Sequence, residues 1–153
     1  MLGWLEWMDI EEKPNYEGCG VYKVRVVNLE GLPVGVPRCL GKDKDGIIYI
    51  GHSENIRRRI TFFLGAIEGK EYTSPEGRKL CTINRYTNFR KSRNHFKFQY
   101  SFKKLPNKKE AKLEWERLLK LYFKRYGEVP PVNNNLPHKY INWESLSMRR
   151  SDT

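Results

Sequence analysis

The 153 residues hold only three cysteines and three histidines. Neither set, Cys19, Cys39 and Cys81 or His52, His95 and His138, has the spacing of a zinc site. An odd, scattered trio of cysteines does not make a disulfide framework either, and it fits a reducing compartment. No apolar run approaches the roughly eighteen residues that a membrane span needs. The N-terminal Met-Leu-Gly-Trp-Leu-Glu-Trp-Met-Asp has no basic start and carries acids, unlike a secretory leader. These absences lead us to expect a cytoplasmic protein, at the nucleoid or, in a eukaryote, in the nucleus. Phosphate-binding and dinucleotide-binding glycine motifs are missing as well.

Acids are the other scarcity, 18 against 29 Lys and Arg, for a net charge of +11. The deficit is local. Residues 57–125 hold 20 basic residues and 6 acids, whereas residues 1–18 hold 5 acids and one lysine. From Arg78 to Arg93 there is no acid at all. Arg78, Lys79, Arg85, Arg90, Lys91 and Arg93 are there interleaved with Tyr86 and Phe89, a mixture suited to phosphates and exposed bases. A helix burying Leu80 and Ile83 behind a solvated basic face gives the same pattern. A segregated positive block is the expected footprint of a polyanion. Nucleic acid is preferred to a membrane surface, because no basic helix has a clean apolar face.

What is abundant is core material. The chain is 39% hydrophobic and 13% aromatic, enough for one folded domain, expected over residues 1–144 with a disordered tail at 145–153. Residues 1–17 form an amphipathic or irregular lead-in, with Trp4 and Trp7 as packing anchors. Cys19 to Val27 alternate as a half-buried strand, Tyr22, Val24 and Val26 facing one way and Lys23 and Arg25 the other. Turn residues within 28–45 suggest a hairpin insert. The apolar run Ile47 to Ile50 ends at Gly51, and a helix is expected from Ser53, as N-cap, to Ile67. A second helix starts at Pro75-Glu76. Phe96, Phe98, Tyr100 and Phe102 alternate with polar residues as a third strand. Asn107 and Glu110 have capping-box spacing for a last helix reaching Tyr126. The order β, β, α, α, β, α implies an α+β fold, a small antiparallel or mixed sheet flanked by helices.

Five features stand in a telling order: Gly20-Val21-Tyr22; Tyr49-Ile50-Gly51; Arg59, ten residues after Tyr49; Leu113-Glu114-Trp115; and Asn133 in Pro130-Pro131-Val132-Asn133. Over residues 18–135 this set resembles the GIY-YIG nuclease superfamily, as a small stand-alone member. The resemblance implies a metal-dependent endonuclease that hydrolyses DNA phosphodiesters, restriction-like or structure-specific in repair. Tyr22 would then hold or activate the attacking water with Tyr49 in the same network, Arg59 would bind phosphate, and Asn133 would brace the site. Glu114 would be the sole protein ligand of one Mg²⁺ or Mn²⁺. A phenol of ordinary pKa near 10 is a poor base, so an arginine or metal-bound water would have to lower it.

His52, Arg57 and Arg58 join the six basic residues of 78–93 as expected nucleic-acid contacts, on duplex or branched DNA, by a monomer or a homodimer. Two features depart from the family. The triplets are separated by 26 residues, wider than the family's usual spacing, and Phe63 stands where some members carry a histidine. Helix geometry leaves Glu114 and Glu116 even as metal ligand, and Asn134 and Asn135 leave the asparagine register open. A non-catalytic nucleic-acid-binding module of the same fold, or a ribosome-associated basic protein, accounts for the charge without the chemistry.

Overall fold

A computed structural model describes residues 3–70, 74–86, 94–134 and 136, with the side chains of 84–86 set aside. The strands are β1 (Met8–Asp9), β2 (Gly20–Asn28), β3 (Val36–Arg38), β4 (Gly41–Asp43), β5 (Ile47–Ser53) and β6 (Phe96–Lys104). The helices are α1 (Ile56–Ile67), α2 (Pro75–Tyr86) and α3 (Lys108–Tyr126). The class is α+β: a four-stranded antiparallel sheet in the order β1-β6-β2-β5, a separate β3-β4 ribbon, and three helices. The ribbon is the hairpin expected within 28–45. No helix among the described residues is long and apolar enough to cross a membrane.

Strand β2 is central, paired along its length with β6 on one side and with β5 on the other. Its alternation separates two cores. Tyr22 and Val24 face the layer of α1 and α2, with Ile56, Ile60, Phe63, Ile67 and Leu80. On the other face Ile47 and Ile50 pack with Leu119, Tyr122 and Tyr126 of α3. A strand covered on both sides has no need to alternate, which is why Ile47-Ile48-Tyr49-Ile50 is apolar throughout and buried throughout. A register shift sets Val24 opposite Tyr49 but Arg25 opposite Ile47, so Tyr49 and Ile47 point to opposite faces although two residues apart.

The acidic lead-in joins the sheet rather than hanging beside it. Met8 and Asp9 pair with Tyr100 and Gln99, adding an edge strand the sequence does not announce. Its tryptophans act as anchors through the basic face of β2: Lys23 Nζ lies 4.2 Å from the Trp4 ring and the Arg25 guanidinium 4.2 Å from Trp7. The start of α1 differs from expectation too. Asn55 is the cap, its Oδ1 accepting from Arg58 N, while Ser53 bonds Asn55. Glu54 therefore precedes the helix and pairs with Lys108. Asn107 caps α3 as expected, accepting from Glu110 N. The second helix is described only to Tyr86, so the rest of the basic stretch to Arg93 lies outside the described residues, as does the expected tail at 145–153.

Both triplet glycines are steric requirements. A Cβ on Gly20 would strike the Lys103 carbonyl oxygen, and one on Gly51 would lie 2.6 Å from the Tyr22 ring and hydroxyl. Tyr22 is 1% exposed and has nowhere to retreat. Gly51→Ala is therefore expected to destabilise the fold by about 1–3 kcal/mol in denaturant titration, the usual cost of overpacking. Unchanged stability would mean that the Tyr22 ring does not occupy that space.

Candidate functional site

Cross-strand register brings the two triplets together. Tyr22 pairs with Gly51 and Tyr49 with Val24, so both phenols leave the sheet on the α1 side, ring centroids 5.7 Å apart. Helix α1 starts just beyond β5 and lays Arg59, Phe62, Phe63 and Ala66 along one face, at i, i+3, i+4 and i+7. These four close a small cavity over Tyr22 and Tyr49, and Ser74, Glu76 and Gly77 at the start of α2 supply its remaining wall. Glu76 lies close enough to Tyr49 to raise its pKa. A guanidinium, a carboxylate and two phenols thus border one space.

Burial governs the chemistry of the phenols. It pushes the Tyr22 hydroxyl far above the ordinary tyrosine value, and the nearby Arg59 guanidinium offsets only part of that rise. Tyr49 is raised for the same first reason, with Tyr22 and Glu76 adding to it. Arg59 alone does not lower either phenol below its ordinary value. Both side chains are neutral hydrogen-bonding groups at neutral pH.

A second cleft of about 290 Å³ adjoins the first and shares Arg59 and Phe62 with it. Arg58, Lys108, Asn55, His52, Ser53 and Glu54 complete its lining. The exposed Lys108–Glu54 pair at 2.8 Å contributes little to stability and leaves the cleft predominantly basic. His52 stacks on Trp115, centroids 4.7 Å apart. Burial first, then Arg59 and Lys112, hold its pKa below the usual histidine value, so the ring is neutral at pH 7. Arg57 lines neither cavity.

Glu114 is not brought to the tyrosines. It pairs with Arg117 and, at 3.7 Å, with Lys103. Lys103 is opposite Val21 and Phe102 opposite Tyr22, so Glu114 sits beneath the sheet face turned away from the phenols. Its carboxyl is held below the usual range, first by the Arg117 hydrogen bond and then by Lys103. Two cations already neutralise the proposed metal ligand, on the wrong side of the sheet. Glu116 is buried on α3, within electrostatic range of His52.

Asn133 does brace, and it does so through the backbone. Its Oδ1 accepts from Ile50 N at 2.8 Å and its Nδ2 donates to Ile50 O at 2.8 Å, which locks the middle of the second triplet. Trp115 Nε1 donates to the same carbonyl at 2.9 Å. Lys79, expected on nucleic acid, instead donates to Asn133 O at 3.0 Å. Arg78 is exposed on α2; the Arg85 side chain and all of Arg90, Lys91 and Arg93 lie outside the described residues. Glu76 and Phe62 are the members that sequence reasoning misses. Glu76 reads as an ordinary acid in a first helical turn, and only the packing of α2 on α1 delivers it to Tyr49. Among the described residues no three His, Cys, Asp or Glu side chains converge as a metal cage.

Unfolded phenols ionise near pH ~10, whereas Tyr22 and Tyr49 in the native protein keep their protons higher. Their contribution is fully present below that value and lost as pH rises beyond it. Thermal unfolding followed from neutral to alkaline pH is expected to show stability falling above pH about 10, and Tyr22→Phe or Tyr49→Phe to make the fall shallower. An equal fall in both variants and the parent would contradict the burial of these hydroxyls. Compared with protein-family models, with curated proteins and with solved structures, the chain finds no match.

Proposed function

We propose that the protein is an endonuclease that hydrolyses DNA phosphodiesters with the help of a divalent cation, and that Tyr22, Tyr49, Arg59 and Glu76 form its site. The observation that carries this reading is the common cavity of those four side chains, joined through Arg59 to a basic cleft. Hydrolysis needs neutralisation of the phosphoryl oxygens and a held water. Arg59 meets the first need. The neutral hydroxyls of Tyr22 and Tyr49 meet the second by donating and accepting hydrogen bonds, not by acting as phenolates.

We place Mg²⁺ at Glu76 rather than Glu114; the tyrosine cavity, about 10 Å³, has room for about one water, so the ion's remaining ligands would have to be phosphate and water on the side of the basic cleft. A cation bound there would supply further positive charge at the scissile phosphate. The resemblance to GIY-YIG nucleases supports the reading in every member but the carboxylate, for which we choose Glu76 of α2 over Glu114 and Glu116 of α3 because it borders the tyrosine cavity. Asn133 contributes by fixing Ile50 between Tyr49 and Gly51.

A nucleic-acid-binding protein that does not cut is the second reading, favoured by the burial of both phenols. Cleavage of supercoiled and branched DNA with Mg²⁺ or Mn²⁺ separates the two. Arg59→Ala and Glu76→Gln are expected to slow cutting about a hundredfold or more, the scale for losing one group that stabilises a transition state. Glu114→Gln is expected to cut like the parent, and chelation to stop cutting while sparing binding. Loss of cutting in Glu114→Gln with none in Glu76→Gln would return the carboxylate to α3. Tight binding with no cutting under any metal would establish the second reading.

A further inference from the structure

The cleft beside the tyrosine cavity has a feature that phosphate binding alone does not require. Phe62 is 42% exposed although its neighbour Phe63 is 4% exposed and belongs to the core. The Phe62 ring borders both cavities, and the Arg58 guanidinium lies 5.8 Å from its centroid. Part of an aromatic ring is therefore open to solvent, with Arg58 over it and Arg59 in the same lining, on the rim of a cleft of about 290 Å³. That volume is near the lower end of small-molecule sites, which start at roughly 300 Å³, so it suits one nucleotide-sized group rather than a stacked pair of bases. Its walls are polar where Phe62 is not: His52, Asn55 and Lys108 face the same space.

An aromatic face set among cations is the arrangement by which proteins hold single-stranded nucleic acid, with the base stacked on the ring and the backbone on the charges. A paired base cannot use it, because both of its faces are already covered by its neighbours in the duplex. We propose that this cleft is a pocket for one unpaired nucleotide, its base against Phe62 and its phosphate at Arg59, so that the substrate is DNA with an unpaired base beside the point of attack. The proposal rests on the nucleic-acid reading above and adds the substrate class. It makes Phe62 a specificity-determining residue, and it requires neither a duplex sequence nor base-edge contacts.

The test uses the full chain and fluorescently labelled DNA in three forms: single-stranded, fully paired, and paired apart from one bulged 2-aminopurine. Binding is followed by anisotropy and by the emission of 2-aminopurine, which reports on stacking. The parent is expected to prefer the single-stranded and bulged forms and to change the 2-aminopurine emission. Phe62→Ala is expected to weaken binding to those two forms by about 5- to 100-fold, the range for one lost base–aromatic stack, and to leave the paired form within about twofold. Phe62→Leu, which keeps the bulk without the π face, should lose affinity in the same way, and Phe62→Trp should restore it. Equal losses on all three DNAs, or no loss on any, would overturn the pocket while leaving a basic nucleic-acid site in place. A parent that binds paired DNA as well as the bulged form overturns it likewise. A parent that binds no DNA refutes both the pocket and the reading beneath it.

Discussion

The pairing of β2 with β5 is the constraint on which the rest depends. Two short strands, far apart in the chain because of the 28–45 insert, meet so that Tyr22 faces Gly51 across the ladder and Tyr49 faces Val24. A one-residue slip would turn both phenols to the other side of the sheet. Several contacts hold the register. Gly51 makes room for the Tyr22 ring, and Asn133 and Trp115 bind the backbone of Ile50. Asp43, buried at the end of the insert, accepts from Ile47 N and from the Tyr122 hydroxyl at 2.8 Å. The insert thus ends in a clamp that joins β5 to α3, which is how a long excursion between paired strands does not loosen them.

With the strands fixed, the site follows from helix geometry and from charge. One turn after its Asn55 cap, α1 turns Arg59 over the phenols, and the next turn brings Phe62 and Phe63. The guanidinium looks two ways, into the tyrosine cavity and into the basic cleft. Burial keeps Tyr22 and Tyr49 neutral and keeps His52 uncharged beside Arg59. Arg59 is then the cation shared by both cavities, a natural seat for a phosphate.

Much of this architecture is legible in the sequence, and the exceptions have physical causes. The alternation in Cys19–Val27 and Phe96–Lys103 marks two strands because each has one face on the α1 and α2 core. Asn107 and Glu110 mark the start of α3 because capping is local chemistry. Met8–Asp9 escapes because two residues of edge pairing leave no periodic trace. Ser53 and Asn55 are both good cap residues two positions apart, and the geometry of the turn selects Asn55. Tyr22, Tyr49 and Arg59 are legible because strand pairing and a following helix are short-range consequences of motif spacing. The carboxylate is not. Glu114 and Glu76 are each a plausible helix acid, and which one reaches the phenols depends on which face of the sheet its helix covers. That is a tertiary fact: α3 packs under Ile47 and Ile50, whereas α2 joins the core on the phenols' side through its Leu80.

Arg59 and Glu76 line one cavity, and the proposed cleavage requires them to act together across it. The most direct measurement is a double-mutant cycle on DNA cleavage, with Arg59→Ala, Glu76→Gln and the two combined. Groups that act as a unit are strongly non-additive, so the double variant should be little slower than the worse single one. Multiplying losses, or a Glu76→Gln variant as fast as the parent, would contradict a shared site.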